Sequence, residues 1–473
     1  MNILSKLFKG NSIADNTAQL AEFLKVDKQA LKAFEQTYKE HCLLHSVHTG
    51  DIYSANSREA SATRAKMTVN SADYADISER VIAELVAETA VMCFDGRTLT
   101  VKQPDGLSEN NILVSNAELM TLPEPQRPML TGTLMSVDMH VPSALEVLDY
   151  YKQYIKTGDR QFYHRFRQGL DILDLDALMY AMIDTNPNSM SHWLPAIAEI
   201  AVKDGFFKVP KTTIAKVPMP VLQLTRKDYG LLTPATFDVI DRYCYDVFKL
   251  DVNKEYFIKT GTYSSKFDFR NAYVHGEKEV RELGEYLLFI HQQANAMAGP
   301  LSTPSIYGMS TTTEWVVREF IKDSENNPCI YKGLPLHTEY RVFVDFDTDS
   351  VLSVTPYWET ETMNKRFAEN RDNHDAHDAV IYKMHEETLM KRYYANKDKV
   401  VAELARILPF VELDGQWSID VMQNGDDFYI IDMALAETSA FYDTVPQYLR
   451  RPQEENWLPD SNIIAELLAT NTK

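Results

Sequence analysis

The run Tyr256-Phe-Ile-Lys-Thr-Gly-Thr-Tyr-Ser-Ser-Lys-Phe-Asp268 decides how the rest of the chain is read. Its aromatic and β-branched residues around Lys259 have the texture of a strand. Gly261 and the hydroxyl residues after it end that strand in a loop, and helical spacing resumes over 277–297. A strand that runs into such a loop ahead of a helix can offer backbone N–H groups and hydroxyls, here of Ser264 and Ser265, to phosphate oxygens. Lys259 and Lys266 supply positive charge. The spacing is not GxxxxGK[ST], so a P-loop is excluded. The same residues also fit a surface turn with solvated lysines, and the loop alone does not choose between the two.

Further strands follow. TEWVVREFI at 313–321 is an apolar strand interrupted by Arg318 and Glu319, and TEYRVFVDF at 338–346 carries Arg341 inside another strand. A charge inside a strand is costly unless it faces water or a partner. Arginine suits phosphate because its planar fork donates two hydrogen bonds at once. The plainer alternative puts these charges on a solvent face, or pairs Arg341 and Glu339 with neighbours. Near the end, WSIDVM and YIIDM hold Asp420 and Asp432 inside strands, with Glu437 five residues on. Carboxylates brought together repel one another unless a hard cation neutralises them, and magnesium shared with ATP phosphates does so. Side chains alternate along a strand, so a two-residue loop at Asn424-Gly425 would set Asp420 and Asp432 on opposite faces. A three-residue loop with a bulge would set them on one face, and this is the arrangement expected.

VPMPVLQL, at 217–224, and VLSVTPYW, at 351–358, complete the set of expected strands, and Pro234–Phe248, 277–297 and 395–408 have helical spacing. The class is therefore α+β, with hairpins at 347–350 and near Asn424-Gly425. The N-terminal part reads as mainly helical. Leu20, Phe23, Leu24, Leu31, Phe34 and Tyr38 share a period, 71–91 reads as an amphipathic helix, and 97–101 as a short strand after Asp95-Gly96. A proline-rich loop at 103–128 leads to helical runs over 141–206, a small bundle. This divides the chain into 1–125, 126–208 and 209–473, the last in two lobes of about 209–320 and 321–473.

The whole chain has 473 residues, too many for one core. Its 68 acidic and 48 basic residues leave a formal charge of −20, which opposes a broad nucleic-acid or anionic-membrane surface. Four scattered cysteines without a CxxC pair indicate neither a disulfide framework nor a zinc knuckle. No apolar stretch is long enough for a bilayer, and the lysines in MNILSKLFKGNS do not suit a signal peptide, so a cytoplasmic location is expected. His374, His377 and His385, with Asp375 and Asp378, lie in a polar stretch, 360–387, read as a solvated loop or lid rather than a metal cluster. His41, His45 and His48 lack an acid or cysteine to complete a site. Asp345, Asp347 and Asp349 read as a solvated turn, since an EF-hand would need its Gly and terminal Glu.

The order of these strands resembles the ATP-grasp superfamily: a lysine strand and loop, a hinge strand with Glu, an arginine strand, then two acidic strands. In wording it is similar to the cell-division-cycle ATP-grasp proteins that help assemble a translation initiation factor. The matches are Phe257-Ile-Lys259 with Ser264-Ser-Lys266-Phe-Asp268, Glu339-Tyr-Arg341-Val-Phe-Val344, Asp420-Val421 and Ile431-Asp432. The resemblance implies an ATP-grasp fold in the C-terminal half and a site that takes ATP with Mg2+. Lys259 would meet the α- and β-phosphates, and Lys266 would close over the β- and γ-phosphates. Glu319, Phe320 and Ile321 would form the hinge beside adenine, Arg318 and Arg341 would face the phosphates, and Asp420 and Asp432 would hold magnesium. Ala434 stands where the family pattern has Asn, and Glu437 is the candidate to replace it as a metal ligand. The leading expectation is an ATP-dependent ligase that forms an acyl phosphate on a carboxylate, with Lys259, Lys266 and Arg341 stabilising the transferring phosphoryl group. An ATP-binding assembly factor acting on a protein partner, or a kinase-like phosphotransferase, are the alternatives. The expected partners are ATP and an unknown carboxylate or protein substrate, with neither nucleic acid nor membrane.

Overall fold

The computed structural model describes residues 71–104, 186–225, 232–301, 312–369 and 373–451, with scattered residues between 121 and 184. The helical readings before residue 71 and across most of 103–182 lie outside the described residues, as do the His41, His45, His48 triplet and Cys42.

Helix α1 (Ser71–Glu88) stops three residues short of the expected end. Thr89 closes it by donating its hydroxyl to Leu85 O at 2.6 Å while its Oγ1 lies 2.8 Å from the Tyr243 hydroxyl. The apolar run that follows is instead strand β1 (Ala90–Phe94). Asp95 Oδ1 accepts the amides of Arg97 and Thr98, both at 2.8 Å, and this turn leads into β2 (Leu99–Lys102). Next come α2 (Met190–Asp204), β3 (Phe207–Lys208) and β4 (Thr212–Lys216). The stretch expected as a strand at 217–224 is corrected: it forms a short helix, Met219–Leu224. Pro218 and Pro220 sit at its cap and first turn, where a missing N–H costs nothing, whereas in a strand each would lose a ladder bond.

Helix α3 (Pro234–Phe248) is capped by Thr233, whose side chain accepts from Thr236 N. Strand β5 (Tyr256–Thr260), β6 (Tyr273–Val274) and α4 (Leu283–Leu301) precede β7 (Glu314–Glu319). A small hairpin, β8 (Cys329–Ile330) and β9 (Leu334–Pro335), leads to β10 (Thr338–Asp345) and β11 (Ser350–Pro356). The stretch read as a solvated loop at 360–387 is helical: α5 (Thr360–Glu369), then the 35-residue α6 (Asn373–Ile407). Tyr382, Leu389, Tyr393, Val400 and Leu404 give α6 one buried side, a spacing that the many charges between them hide. Asp345 is likewise not solvated: it is buried, and Arg451 donates to both of its oxygens. Strands β12 (Gln416–Asn424) and β13 (Asp427–Leu435) end the described fold.

The chain is thus α+β. One sheet has the order β2-β1-β4-β7-β5-β6 and is antiparallel throughout. The other has the order β11-β10-β12-β13-β3, with β3 parallel to β13. Strands from both sides of residue 209 therefore share each sheet. One face of the five-stranded sheet buries Tyr340, Val342, Val344, Ile419, Val421 and Ile430 with Trp193 and Ile197 of α2 and Val400 and Leu404 of α6. Alternation then turns Glu339, Arg341 and Asp420 to the opposite side, toward the six-stranded sheet. Among the described residues, no helix is long and apolar enough to cross a membrane.

Candidate functional site

The acidic hairpin reaches a single-faced arrangement by a route other than the one expected. Asn424 pairs with Asp427, so the loop is the two residues Gly425-Asp426, and Gly425 takes the φ of 66° that such a turn requires. The register slips further along, between Asp420 and Val421, where Val421 faces Ile430 and Asp420 faces Asp432. Ile431 is the extra residue of a β-bulge. The bulge therefore sits in the strand rather than in the turn, and it sets the two aspartates directly opposite one another on one face. Arg341 is the partner of Asp420 on the other side, so β10, β12 and β13 present Arg341, Asp420 and Asp432 in a row.

Both acids are held by cations. Arg341 donates Nε and Nη2 to the two oxygens of Asp420, at 2.8 and 2.7 Å, a bidentate pair. Lys259, almost fully buried on β5, reaches from the other sheet and lies 3.0 Å from both oxygens of Asp432. The strand gives way to a turn at Gly261, where nothing larger fits: a Cβ there would lie 2.5 Å from Thr312 Oγ1 and 2.7 Å from Glu314 Oε2. Beyond the turn, Lys266 Nζ stands 4.0 Å from the centre of the Tyr357 ring, and the Arg341 guanidinium stands 4.7 Å from it. Glu339, two residues before Arg341 and so on the same face, accepts from Trp358 Nε1 at 3.2 Å.

Burial pushes the Lys266 ammonium down to about 8, against the opposing pull of Glu339 and Asp420. It pushes the Glu339 carboxyl up to about 7, with Lys266 working the other way. Arg318 is lowered by burial to about 10. Burial would lower Arg341 too, but the carboxylate of Asp420 outweighs it and holds the guanidinium above its ordinary value.

These groups line a cavity of about 130 Å³ that opens to solvent. Lys259, Ser264, Lys266, Arg318, Glu319, Phe320, Ile321, Asp420 and Asp432 all border it. Arg341 joins through Asp420. Ser265 does not: it is buried and donates its hydroxyl to Gln293 Oε1 at 2.9 Å. Glu437 lies past the end of β13, in the turn Ala436–Thr438, and is not among the lining residues. The N–H groups of Glu319 and Phe320 are bonded to Lys211 O and Glu255 O.

Sequence reading missed the apolar part of this wall, Phe257, Phe269, Leu334, Met422 and Ile431, and the place of His337 in it. Phe257 and Met422 were within reach, since each lies two residues from a named site residue and so shares its face. Leu334 lies in a two-residue strand and Phe269 in a short 3-10 helix, both too short to show a period.

Asp420 and Asp432 suit a hard divalent ion: they offer oxygen ligands only, side by side and at the edge of a cavity that also carries phosphate-binding charge. Four cations, Lys259, Lys266, Arg318 and Arg341, face four carboxylates, Glu319, Glu339, Asp420 and Asp432, so the formal charges of the cleft balance. A second group, Asp323, Glu325 and His337, also brings three ligand atoms within 4.8 Å of one another. Its carboxylates already serve protein donors: Asp323 accepts from Asn327, and Glu325 pairs with Arg392 at 3.1 Å. His377 and His385 join no such group among the described residues. The His377 side chain is 77% exposed, and Asp378 accepts the amide of Tyr331 at 2.9 Å.

Comparison with protein-family models gives no match, and neither does comparison with curated protein sequences. Among solved structures, Cdc123 from Schizosaccharomyces pombe is similar at 13% identity and a TM-score of 0.32, over 59% of this chain and 98% of that one. A C-terminally truncated form of it is similar at 13% identity and a TM-score of 0.33, over 57% and 95%. So slight a likeness carries no function across, and the reading of this chain rests on the geometry of its own cleft.

Proposed function

We propose that the cleft between the two sheets binds ATP as its magnesium complex, in the manner of an ATP-grasp protein. The observation that carries this is the row formed by Arg341, Asp420, Asp432 and Lys259 across both sheets, at one end of a cavity whose remaining wall is largely apolar. An apolar slot beside Phe257, Phe320 and Met422 suits a base. Lys259, Lys266 and Arg341 would take the triphosphate, and Asp420 with Asp432 would take magnesium, which screens the phosphate oxygens and orients them. In this reading a triphosphate exchanges places with protein charges: Lys259 and Arg341 leave their carboxylates for phosphate, and those carboxylates turn to the metal. Ser264 would donate to a phosphate oxygen and the hinge Glu319–Ile321 would lie beside the base, while Glu437 would become a ligand only if its turn moved.

The biological role we favour is that of an ATP-binding assembly factor acting on a protein partner. The absence of Asn at Ala434 supports it, because a metal site with two side-chain ligands can hold nucleotide and close the lobes without efficient phosphoryl transfer. The ligase reading is supported by Arg341, which places a fixed guanidinium beside the acids, where an acyl phosphate would form. Incubating the full chain with labelled ATP and magnesium, first without and then with an added carboxylate and amine, tests both. Retained ATP or slow ADP release fits the assembly factor. Rapid ADP formation that depends on a carboxylate and an amine fits the ligase. No binding at all removes the nucleotide proposal.

A further inference from the structure

Arg318, like Lys266, contacts neither Asp420 nor Asp432 in the described structure. It lies on β7, opposite Phe257 of β5 and Thr212 of β4, and it is 4% exposed. Its Nε donates to Thr212 Oγ1 at 3.1 Å, and that hydroxyl in turn donates to Pro210 O at 2.8 Å, so the acceptor is fixed. Its Nη1 donates across the cleft to the carbonyl of Ile431, the extra residue of the bulge. A bulge disrupts the ladder locally, and a buried carbonyl that loses its partner costs about 1–3 kcal/mol. A guanidinium held rigid at its other end is a fitting donor for such a group, since its planar fork loses little freedom.

We infer that Arg318 is a positioning residue: by holding the Ile431 carbonyl it fixes the bulge, and the bulge keeps Asp432 beside Asp420. This deepens the nucleotide reading and rests on it for its functional half. Asp432 is gripped twice from the same sheet. Lys259 holds its side chain, and Arg318 holds the backbone one residue before it. Only the first grip can be surrendered to a phosphate. When Lys259 moves to a ligand, the bond to Ile431 O remains, so the carboxylate still faces the metal. The Nη2 of Arg318 has no acceptor among the described residues, which leaves its two N–H groups for a bound nucleotide without disturbing the other two bonds.

The test uses Arg318→Lys, which keeps a positive charge but cannot span Thr212 and Ile431 together, and Arg318→Met, which keeps the bulk. In the nucleotide-free full chain, hydrogen exchange of the peptide over 427–435 should speed up at least about tenfold in both variants. The peptide over 338–345, on the far side of β12, should stay as it is. Unchanged exchange at 427–435 overturns the positioning role, whatever the chain binds. In the second arm, the magnesium concentration needed for ATP binding should rise about tenfold in Arg318→Lys, and adding Arg318→Lys to Asp432→Asn should cause little further loss. Independent, multiplying losses would make Arg318 a separate ligand contact and overturn the inference. Wild-type chain that ignores ATP while exchange follows the prediction would sink the nucleotide reading alone.

Discussion

The two faces of the five-stranded sheet are both buried, and they are built from opposite materials. The outer face, with Tyr340, Val342, Ile419, Val421 and Ile430, packs against α2 and α6 and holds the fold. The inner face sets Glu339, Arg341, Asp420 and Asp432 toward the other sheet, and Glu339 and Asp420 are buried there as well. A charged face turned to solvent is ordinary. One enclosed between two sheets costs several kcal/mol in desolvation per ion and persists only where partners or ligands repay it. The contrast separates residues kept for stability from residues kept for binding, and substitutions on the two faces should behave differently.

The largest effect is expected on the outer face. Ile419→Ala should lower stability by about 2–5 kcal/mol through loss of packing, visible as a lower denaturation midpoint, while the folded fraction keeps its nucleotide affinity. A selective loss of affinity there would erase the contrast. Next is Asp432→Asn on the inner face. The amide still gives Lys259 an oxygen acceptor, which Asp432→Ala would not, so a buried ammonium is not stranded. Magnesium-dependent ATP binding should weaken roughly 100-fold, the scale of a charge-assisted contact, with thermal stability little changed. Wild-type affinity in both Asp432→Asn and Lys259→Ala would remove the site assignment.

The pH dependence sharpens the comparison further. Glu339 ionises as pH rises through about 7, and Lys266 loses its proton as pH rises through about 8. Both steps make the cleft more negative, so ATP affinity should fall by about tenfold between pH 6.5 and 9. Glu339→Gln should flatten the lower step and leave the upper one. A wild-type affinity that rises over this range has the wrong sign for the proposed site. The smallest effect belongs outside both faces: His377→Ala should change ATP affinity less than twofold, and a large loss would restore the histidines of α6 to consideration.

Much of this contrast was legible in the chain. Alternation in TEYRVFVDF and WSIDVM separates Arg341 and Asp420 from their apolar neighbours, and the strands carrying Lys259 and Asp432 could be placed from local texture. What the sequence withheld is long-range or subtle. That Lys259 and Asp432 meet depends on contact between two sheets, 173 residues apart along the chain. The bulge at Ile431 has no composition signal, since neither Gly nor Pro marks it. Glu339 carries the same letters whether solvated or buried, so its unusual titration becomes visible only with Trp358 and Lys266 around it. In α6 the reverse holds: a buried stripe was masked by charge, and a helix was read as a loop.

The most direct test is a calorimetric titration of the full chain with ATP, in the presence and absence of magnesium, repeated with Asp432→Asn. Saturable one-site binding that requires magnesium and weakens roughly 100-fold in the variant is the predicted result. No binding, or binding indifferent to both magnesium and the substitution, would contradict it.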